Sequence, residues 1–555
     1  MKPERELSQM SAGITFNESR KQEYRQKGYW GDATLADYWK MSVLSSPDKT
    51  AVIDRQGTRY TYAELDDAAG RVASFLQVTG VAPGEFVSFQ MPGWAEFTVI
   101  YVACLKVGAV VNPILPCYRA DELLHILNTC ETQVFFCPSE FRRFDYLPMV
   151  QLLISQVPSL KEVVVVEKEK AVQAGCTLSR IIREYPPLAE HRACQADDLA
   201  AVLFTSGTDG FPKGVMFTHN TIIASEKAFA AALNFNYLDV MLMTAPLAHA
   251  TGFHHGVTAP FLFGATSVLQ DIFTADTSLT LIAQERCTCS MGATPFVHDI
   301  LRSLQNGRHN ISSLRFFLCG GAPIPRHLVE ESWALGLKVI GVYGSTESIP
   351  HTVVRLHDPP DKVLHTDGAA VPGVEVKVVD AARQPVPSGG EGEEASRGPG
   401  VFVGYLKEPE LTAQVLDEAG WYYSGDLCRM DEDGYIRITG RKKDVIIRGG
   451  ENISSVEVEN ILLQMPAVQE AGVVAMPDPR LGERICAYVV LAAAAGGLSL
   501  ADIQAFFAKK KVAKCKCPER LEIVGSLPRT ASGKIQKFVL RQDIKNKLSQ
   551  QRLGS

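Results

Sequence analysis

Leu203-Phe204-Thr205-Ser206-Gly207-Thr208-Asp209-Gly210-Phe211-Pro212-Lys213-Gly214 is an apolar run that ends in small residues and a single lysine. Residues 200–204 read as a buried strand, and Gly207, Gly210 and Gly214 let the backbone beyond it turn its amides towards an anion. Thr205, Ser206 and Thr208 add hydroxyl donors, and Lys213 adds a full positive charge. The set suits a polyphosphate. In a Walker loop, Gly-Lys-Ser/Thr opens a helix and the hydroxyl binds Mg²⁺. Here Pro212 precedes the lysine and Gly214 follows it, which predicts a pliable flap instead of a helix-capped cradle. An ordinary turn leading to Val215-Met216-Phe217 would use the same residue types, so the loop gains meaning only from partners elsewhere in the chain.

At 555 residues the chain exceeds what one hydrophobic core supports, and two or more domains are expected. With 46% hydrophobic and 21% charged residues it has the composition of a globular protein. A formal net charge of -6 counts against a nucleic-acid binder that works by bulk charge, so a polyanion site must be local. The charged start, Met1-Lys2-Pro3-Glu4-Arg5, does not open a secretory signal. Residues 97–113, the most apolar stretch, contain Lys106 and fall short of the roughly 20 apolar residues of a membrane span. The expectation is a cytoplasmic protein with no integral membrane segment. Peripheral contact with the inner membrane and the oligomeric state stay open. Most of the 13 cysteines stand singly in apolar runs, and Cys287/Cys289 and Cys515/Cys517 lack the second pair a zinc site needs, so reduced structural thiols are expected.

Along the chain, residues 51–54 and 59–62 read as a hairpin around Gln56-Gly57, followed by a helical period at Leu65, Ala68, Ala69, Val72, Ala73 and Leu76. Buried strand patterns then alternate with helical ones as far as Val339-Ile340-Gly341, the pattern of doubly wound α/β subdomains with mostly parallel sheets. From about residue 367 short alternating strands rich in Gly and Pro, Gly404-Tyr405 among them, predict a β subdomain beside that body. Arg441-Lys442-Lys443-Asp444, polar between two apolar strands, marks the expected boundary between a large domain, residues 1–440, and a small α+β domain, residues 441–555.

Further motifs follow the first. Ala245-Pro246-Leu247-Ala248-His249 carries a lone histidine. Cys319-Gly320-Gly321-Ala322-Pro323-Ile324-Pro325 follows an apolar strand with residues small enough for a flat ring to lie on the backbone. Tyr343-Gly344-Ser345-Thr346-Glu347 offers an aromatic face, a hydroxyl and a hard oxygen ligand. Glu347 would alternatively cap a following helix. Trp421-Tyr422-Tyr423-Ser424-Gly425-Asp426 places a carboxylate at an expected turn, able to accept two hydrogen bonds from a diol. Arg448-Gly449-Gly450 allows close backbone approach. Pro528-Arg529-Thr530-Ala531-Ser532-Gly533-Lys534 puts a lysine on a pliable loop.

Together, from residue 200 to 537 and in this order, the motifs resemble those of the adenylate-forming superfamily of acyl-CoA synthetases, luciferases and peptide-synthetase adenylation domains. The flanking sequence is similar to its CoA-ligase branch, and most of all to the short- to medium-chain fatty acyl-CoA synthetases of enteric bacteria. The resemblance implies a fatty acid–CoA ligase using ATP, Mg²⁺ and CoA through an acyl-adenylate, with a small domain that swings between two half-reactions. It assigns the phosphate loop to Thr205, Ser206, Gly207, Thr208, Gly210 and Lys213, and the adenine border to Gly321, Ala322, Pro323 and Tyr343. Thr346 goes to the α-phosphate, Glu347 to the metal, and Asp426 with Arg441 to the ribose. His249 gates the carboxylate site, Lys443 is the pivot, Gly449 and Gly450 border the pantetheine tunnel, and Lys534 bridges the reacting anions. Many members have Asp at the pivot, so Lys443 departs from the pattern. His254 and His255 have no counterpart in these assignments. Lys509, Lys510, Lys511, Lys514 and Lys516 form a basic cluster that reads equally as a solvated helix face or as a site for CoA phosphates. A ligase that loads a carrier protein is the alternative, although no acidic anchor for an ammonium stands near residues 245–251. A luciferase-like oxygenase and an inactive nucleotide-binding scaffold rank below it.

Overall fold

The computed structural model describes residues 18–168, 175–188, 194–205, 212–307, 309–321, 324–492, 496–530 and 533–553. The predicted hairpin forms from Thr50–Asp54 and Arg59–Thr61, and Thr61 then caps the helix Tyr62–Val78 in a reciprocal box with Glu64. The helix buries the predicted face, Leu65, Ala68, Ala69, Val72, Ala73 and Leu76. The helix Ala95–Val107 is buried on nearly every side, as its almost unbroken apolar sequence demands, and Gly108 ends it in the left-handed conformation.

Two large sheets organise the N-terminal body. One has nine strands with a parallel centre running Thr50–Asp54, Thr266–Leu269, Val240–Met243, Cys289–Ala293, Phe316–Gly320 and Val339–Ser345. The other has seven strands and is parallel except for Lys213–Thr218, which pairs antiparallel with Leu199–Thr205. Helices packed on these sheets share one hydrophobic core that reaches from Leu35 to Tyr422. A four-stranded antiparallel sheet, Glu375–Val379 to Ile436–Arg441, supplies the expected β subdomain. Gly404-Tyr405 does not join that sheet. Tyr405 makes an isolated bridge to Val215 and so ties the N-terminal body to itself.

The chain changes sheet at the single turn Lys442–Asp444. Beyond it a five-stranded sheet with the helices Ser455–Leu462, Leu500–Lys509 and Lys537–Leu553 builds a small domain around its own apolar clusters. No helix among the described residues is long and apolar enough to cross a membrane.

Candidate active site

The hairpin that carries the glycine- and hydroxyl-rich motif sets Thr205 directly across from Lys213 at its loop end. A strand, not a helix, follows the lysine, as the sequence predicts. Ser206, Gly207, Thr208 and Gly210 lie outside the described residues. Thr205 Oγ1 is buried and has no hydrogen-bond partner among the described residues. Gly214 has no room for a side chain, because a Cβ there would stand 2.8 Å from Val202 Cγ1. The strand therefore lies close on its neighbour, and Lys213 projects from its first residue.

Lys213 Nζ donates to Tyr405 Oη at 2.7 Å and lies 3.5 Å from Glu347 Oε1. Tyr405 Oη donates in turn to Glu347 Oε1 at 2.6 Å. Backbone bonds from Met216 N–H to Gly404 O and from Leu406 N–H to Gly214 O lay Tyr405 alongside the lysine strand. Burial pushes the Glu347 carboxyl up, but the Lys213 charge and the Tyr405 hydroxyl outweigh it and hold the group below its usual value. Glu347 is thus a buried, ionised carboxylate. It does not cap a helix: the turn it shares with Thr346 leads into the strand Ser348–Val353, antiparallel to Val339–Ser345. Thr346 is half-buried there.

Tyr343 donates its hydroxyl to Asp426 Oδ2 at 2.9 Å, and Asp426 Oδ1 meets Arg441 Nε at 2.9 Å. Asp426 does not stand at a turn, as expected, but inside the strand Tyr422–Met430, in register with Arg441. The positive φ of Gly425 produces the irregularity that the sequence pattern suggested as a turn. Arg441 is 46% exposed, so the ion pair adds at most about 1 kcal/mol to stability. Its effect is to aim the carboxylate. Under Tyr343, His351 Nδ1 meets Glu394 Oε1 at 3.1 Å, with both side chains fully buried.

The turn after Phe316–Gly320 begins at Gly321, whose φ is 83°. Ala322 and Pro323 lie outside the described residues, and Pro325 precedes the helix Arg326–Ala334 as expected. A Cβ on Gly321 would come within 3.0 Å of Lys534 Cε. Lys534 of the small domain is therefore laid over the Gly321 turn of the large one. Thr530 fixes its backbone from both sides, with Thr530 N–H donating to Lys534 O at 2.8 Å and Lys534 N–H donating to Thr530 Oγ1 at 3.1 Å. Burial and the Arg441 charge lower the Lys534 ammonium to about 8, against the pull of Asp426 and Glu347. His249 is lowered to about 3 by burial and by the Lys534 charge, which keeps the imidazole neutral.

The charges of Arg441, Asp426 and Glu347 act on Lys534, and that of Lys534 acts on His249, with Lys213 joined to the group through Glu347 and Tyr343 through Asp426. Lys443 and the two glycines are not part of it. Lys443 is exposed in the turn Lys442–Asp444. Gly449 and Gly450, both at positive φ, make a two-residue hairpin turn, and Gly449 N–H donates to Leu481 O at 2.8 Å within the small domain. Tyr405, His351 and Glu394 are the residues sequence reasoning missed. Tyr405 lies 192 positions from Lys213, and nothing in local spacing signals that contact.

Residues 39–406 match the AMP-binding enzyme family, and residues 457–534 match the AMP-binding enzyme C-terminal domain. The medium-chain fatty-acid–CoA ligase of Escherichia coli (strain K12) is 56% identical over 543 residues, 98% of this chain and 96% of its own. Among solved structures, ATP-bound MatB from Rhodopseudomonas palustris superimposes with a TM-score of 0.85 at 29% identity, covering 93% of this chain and 99% of that one. The anthranilate CoA ligase AuaEII in complex with anthranoyl-AMP gives 0.85 at 26% identity, covering 93% of this chain and 98% of that one. With both its large body and its small C-terminal domain matched in order, and with a lysine of the second seated in the cleft of the first, the chain belongs to the AMP-binding enzyme family.

Proposed function

We propose that this protein is an ATP-dependent fatty acid–CoA ligase that converts medium-chain acids into acyl-CoA, AMP and pyrophosphate. The observation that carries the reading is the seat of Lys534: a cation from one domain placed over Gly321 of the other, in the field of Glu347 and Asp426. A carboxylate that attacks the α-phosphorus of ATP brings two anions together, so the barrier is largely electrostatic. Lys534 spans the two. A carboxylate oxygen bonds to the α-phosphorus, the bond to the β-phosphate oxygen breaks, and pyrophosphate leaves. In the second step the CoA sulfur, its proton given up to solvent, attacks the acyl carbon and AMP departs.

Lys213, with the hydroxyls of Thr205, Ser206 and Thr208 and the amides around Gly207 and Gly210, takes the β- and γ-phosphates. Tyr343, Gly321, Ala322 and Pro323 border adenine, Asp426 and Arg441 take the ribose diol, and Thr346 faces the α-phosphate. Neutral His249 lines the entry for the acid, where a charged imidazole would trap it. Glu347 fits Mg²⁺: it is a single buried carboxylate held ionised, and no group of three or more acidic, His or Cys ligands occurs among the described residues. One carboxylate plus substrate phosphates is the donor set Mg²⁺ favours. The ion would neutralise phosphate charge.

The boundary at residues 440/441 becomes a pivot in this reading, with Lys443 at its centre. Rotation about it withdraws Lys534 and brings Gly449 and Gly450 to the cleft for the pantetheine arm.

The test is acid-dependent AMP release with MgATP, with and without CoA, over straight-chain acids from acetate to palmitate plus salicylate. Strong CoA stimulation that peaks at medium-chain acids is expected. Pyrophosphate formation indifferent to CoA, or a preference for salicylate, would transfer the assignment to a carrier-loading ligase.

A further inference from the structure

The helix His219–Leu233 buries one acidic side chain, Glu226, which is 0% exposed. Each of its oxygens meets a different imidazole: Oε1 lies 3.1 Å from His254 Nδ1, and Oε2 lies 3.0 Å from His255 Nδ1. Both histidines are also fully buried, and among the described residues neither Nε2 has a hydrogen-bond partner. Ser225 Oγ also donates to Oε1, at 3.4 Å. Burial works against the Glu226 charge, but the two imidazoles more than compensate and hold the carboxyl at about 2.

Burial lowers His254 and favours its neutral ring, and a buried carboxylate held this way is a poor way to gain stability, since well-packed apolar residues of similar size usually do as well or better. What this one does is geometric. His254 and His255 are adjacent in sequence, and neighbours on a regular α-helix point about 100° apart. Here they stand on the π-helical segment Gly252–Thr258, whose wider turn brings both rings to one carboxylate. Such turns recur at functional sites.

The segment is also wedged in place. A Cβ on Gly252 would lie 2.2 Å from Pro246 O, and one on Gly256 would lie 2.5 Å from Met243 Cγ. The helix therefore bears on the loop that carries His249. Phe253 N–H donates to His249 O at 2.9 Å, and Thr251 N–H donates to His249 Nδ1 at 3.3 Å. The second bond makes Nδ1 the acceptor and leaves the ring proton on Nε2.

We infer that Glu226 is a positioning residue for the acyl side of the site, acting through His254, His255 and the π-helical segment to set the place and tautomer of His249. The assignment rests on the ligase reading above. It predicts a change in the use of the acid but not of the nucleotide, because Lys213 and Asp426 stand on strands, and Glu347 on the turn before Ser348, all outside the π-helical segment.

The experiment measures acid-dependent ATP–pyrophosphate exchange in the wild type, Glu226→Gln, His254→Asn and His254→Leu. The Asn side-chain nitrogen occupies the place of His Nδ1 and keeps a donor to Glu226, whereas Leu removes it. In Glu226→Gln and His254→Leu the KM for the acid should rise by about tenfold or more with the KM for ATP unchanged. His254→Asn should stay near the wild type. An unchanged acid KM in His254→Leu, or parallel shifts in both KM values, would overturn the inference. If Glu226→Gln does not fold, the two His254 variants decide by the same criterion. Absence of exchange in the wild type would defeat the ligase reading itself, an outcome distinct from failure of the positioning role.

Discussion

At the scale of single residues the site is a balance of charges. Lys534 is a half-buried ammonium in a cleft that also holds Arg441, and both burial and that neighbour disfavour its proton, lowering it to about 8. In the proposed mechanism the charged form is the one that spans two anions. Adenylate formation by the wild type should therefore fall as pH rises through about 8, whereas thioester formation from preformed acyl-adenylate should show no such limb. Lys534→Ala should slow adenylate formation by about 10²–10³-fold and spare the second half-reaction. Equal loss in both halves would remove Lys534 from its assigned place. Tyr405 belongs to the same balance: its hydroxyl accepts from Lys213 and donates to Glu347, bracing the ion pair that these two form at 3.5 Å.

At the scale of elements, antiparallel strand pairs aim the charged groups. The hairpin of Leu199–Thr205 and Lys213–Thr218 presents Lys213, and the pair Tyr422–Met430 and Ile436–Arg441 places Asp426 opposite Arg441. One residue later the chain enters the turn Lys442–Asp444, where Lys442 pairs with Glu393 of the large domain and Asp444 with Arg541 of the small one. Lys443 is held between two anchors on opposite sides of the boundary, which is where a change of φ and ψ would reorient one domain against the other. Proline fixes its own φ and restricts the residue before it, so Lys443→Pro should leave adenylate formation near the wild-type rate and slow thioester formation about tenfold or more. Separate half-reaction assays read this directly, and equal slowing of both would place the pivot elsewhere.

At the scale of the whole molecule, the two domains have separate hydrophobic cores and meet across a cleft. A Cβ on Gly533 would lie 3.7 Å from the Cβ of Ala293, close to the mean of about 3.8 Å for a disulfide. The Ala293→Cys/Gly533→Cys double variant, oxidised, should hold Lys534 in the cleft. The φ of 86° at Gly533 makes any side chain there cost about 1–2 kcal/mol, which the bond must overcome. Expected are preserved adenylate formation, loss of acyl-CoA formation, and recovery on reduction. Acyl-CoA turnover at the same rate in both redox states would mean that no domain rotation is needed.

Local chemistry was legible from the residues alone. The glycine and hydroxyl loop, the strand periods, the helical face from Leu65 to Leu76 and the change of texture near residue 367 follow from propensity, periodicity and backbone freedom, which act over a few residues. Their order along the chain carried the resemblance, and with it the family. Tertiary structure decided what depends on distance through space: that Lys534 lies over Gly321, that Asp426 faces Arg441 from within a strand, that Tyr405 joins Lys213 to Glu347, and that Glu226 holds two histidines read from the sequence as unremarkable. The reason is physical. A hydrogen bond or a charge shift depends on separations of a few ångströms, and residues hundreds of positions apart reach them only when sheets and domains pack.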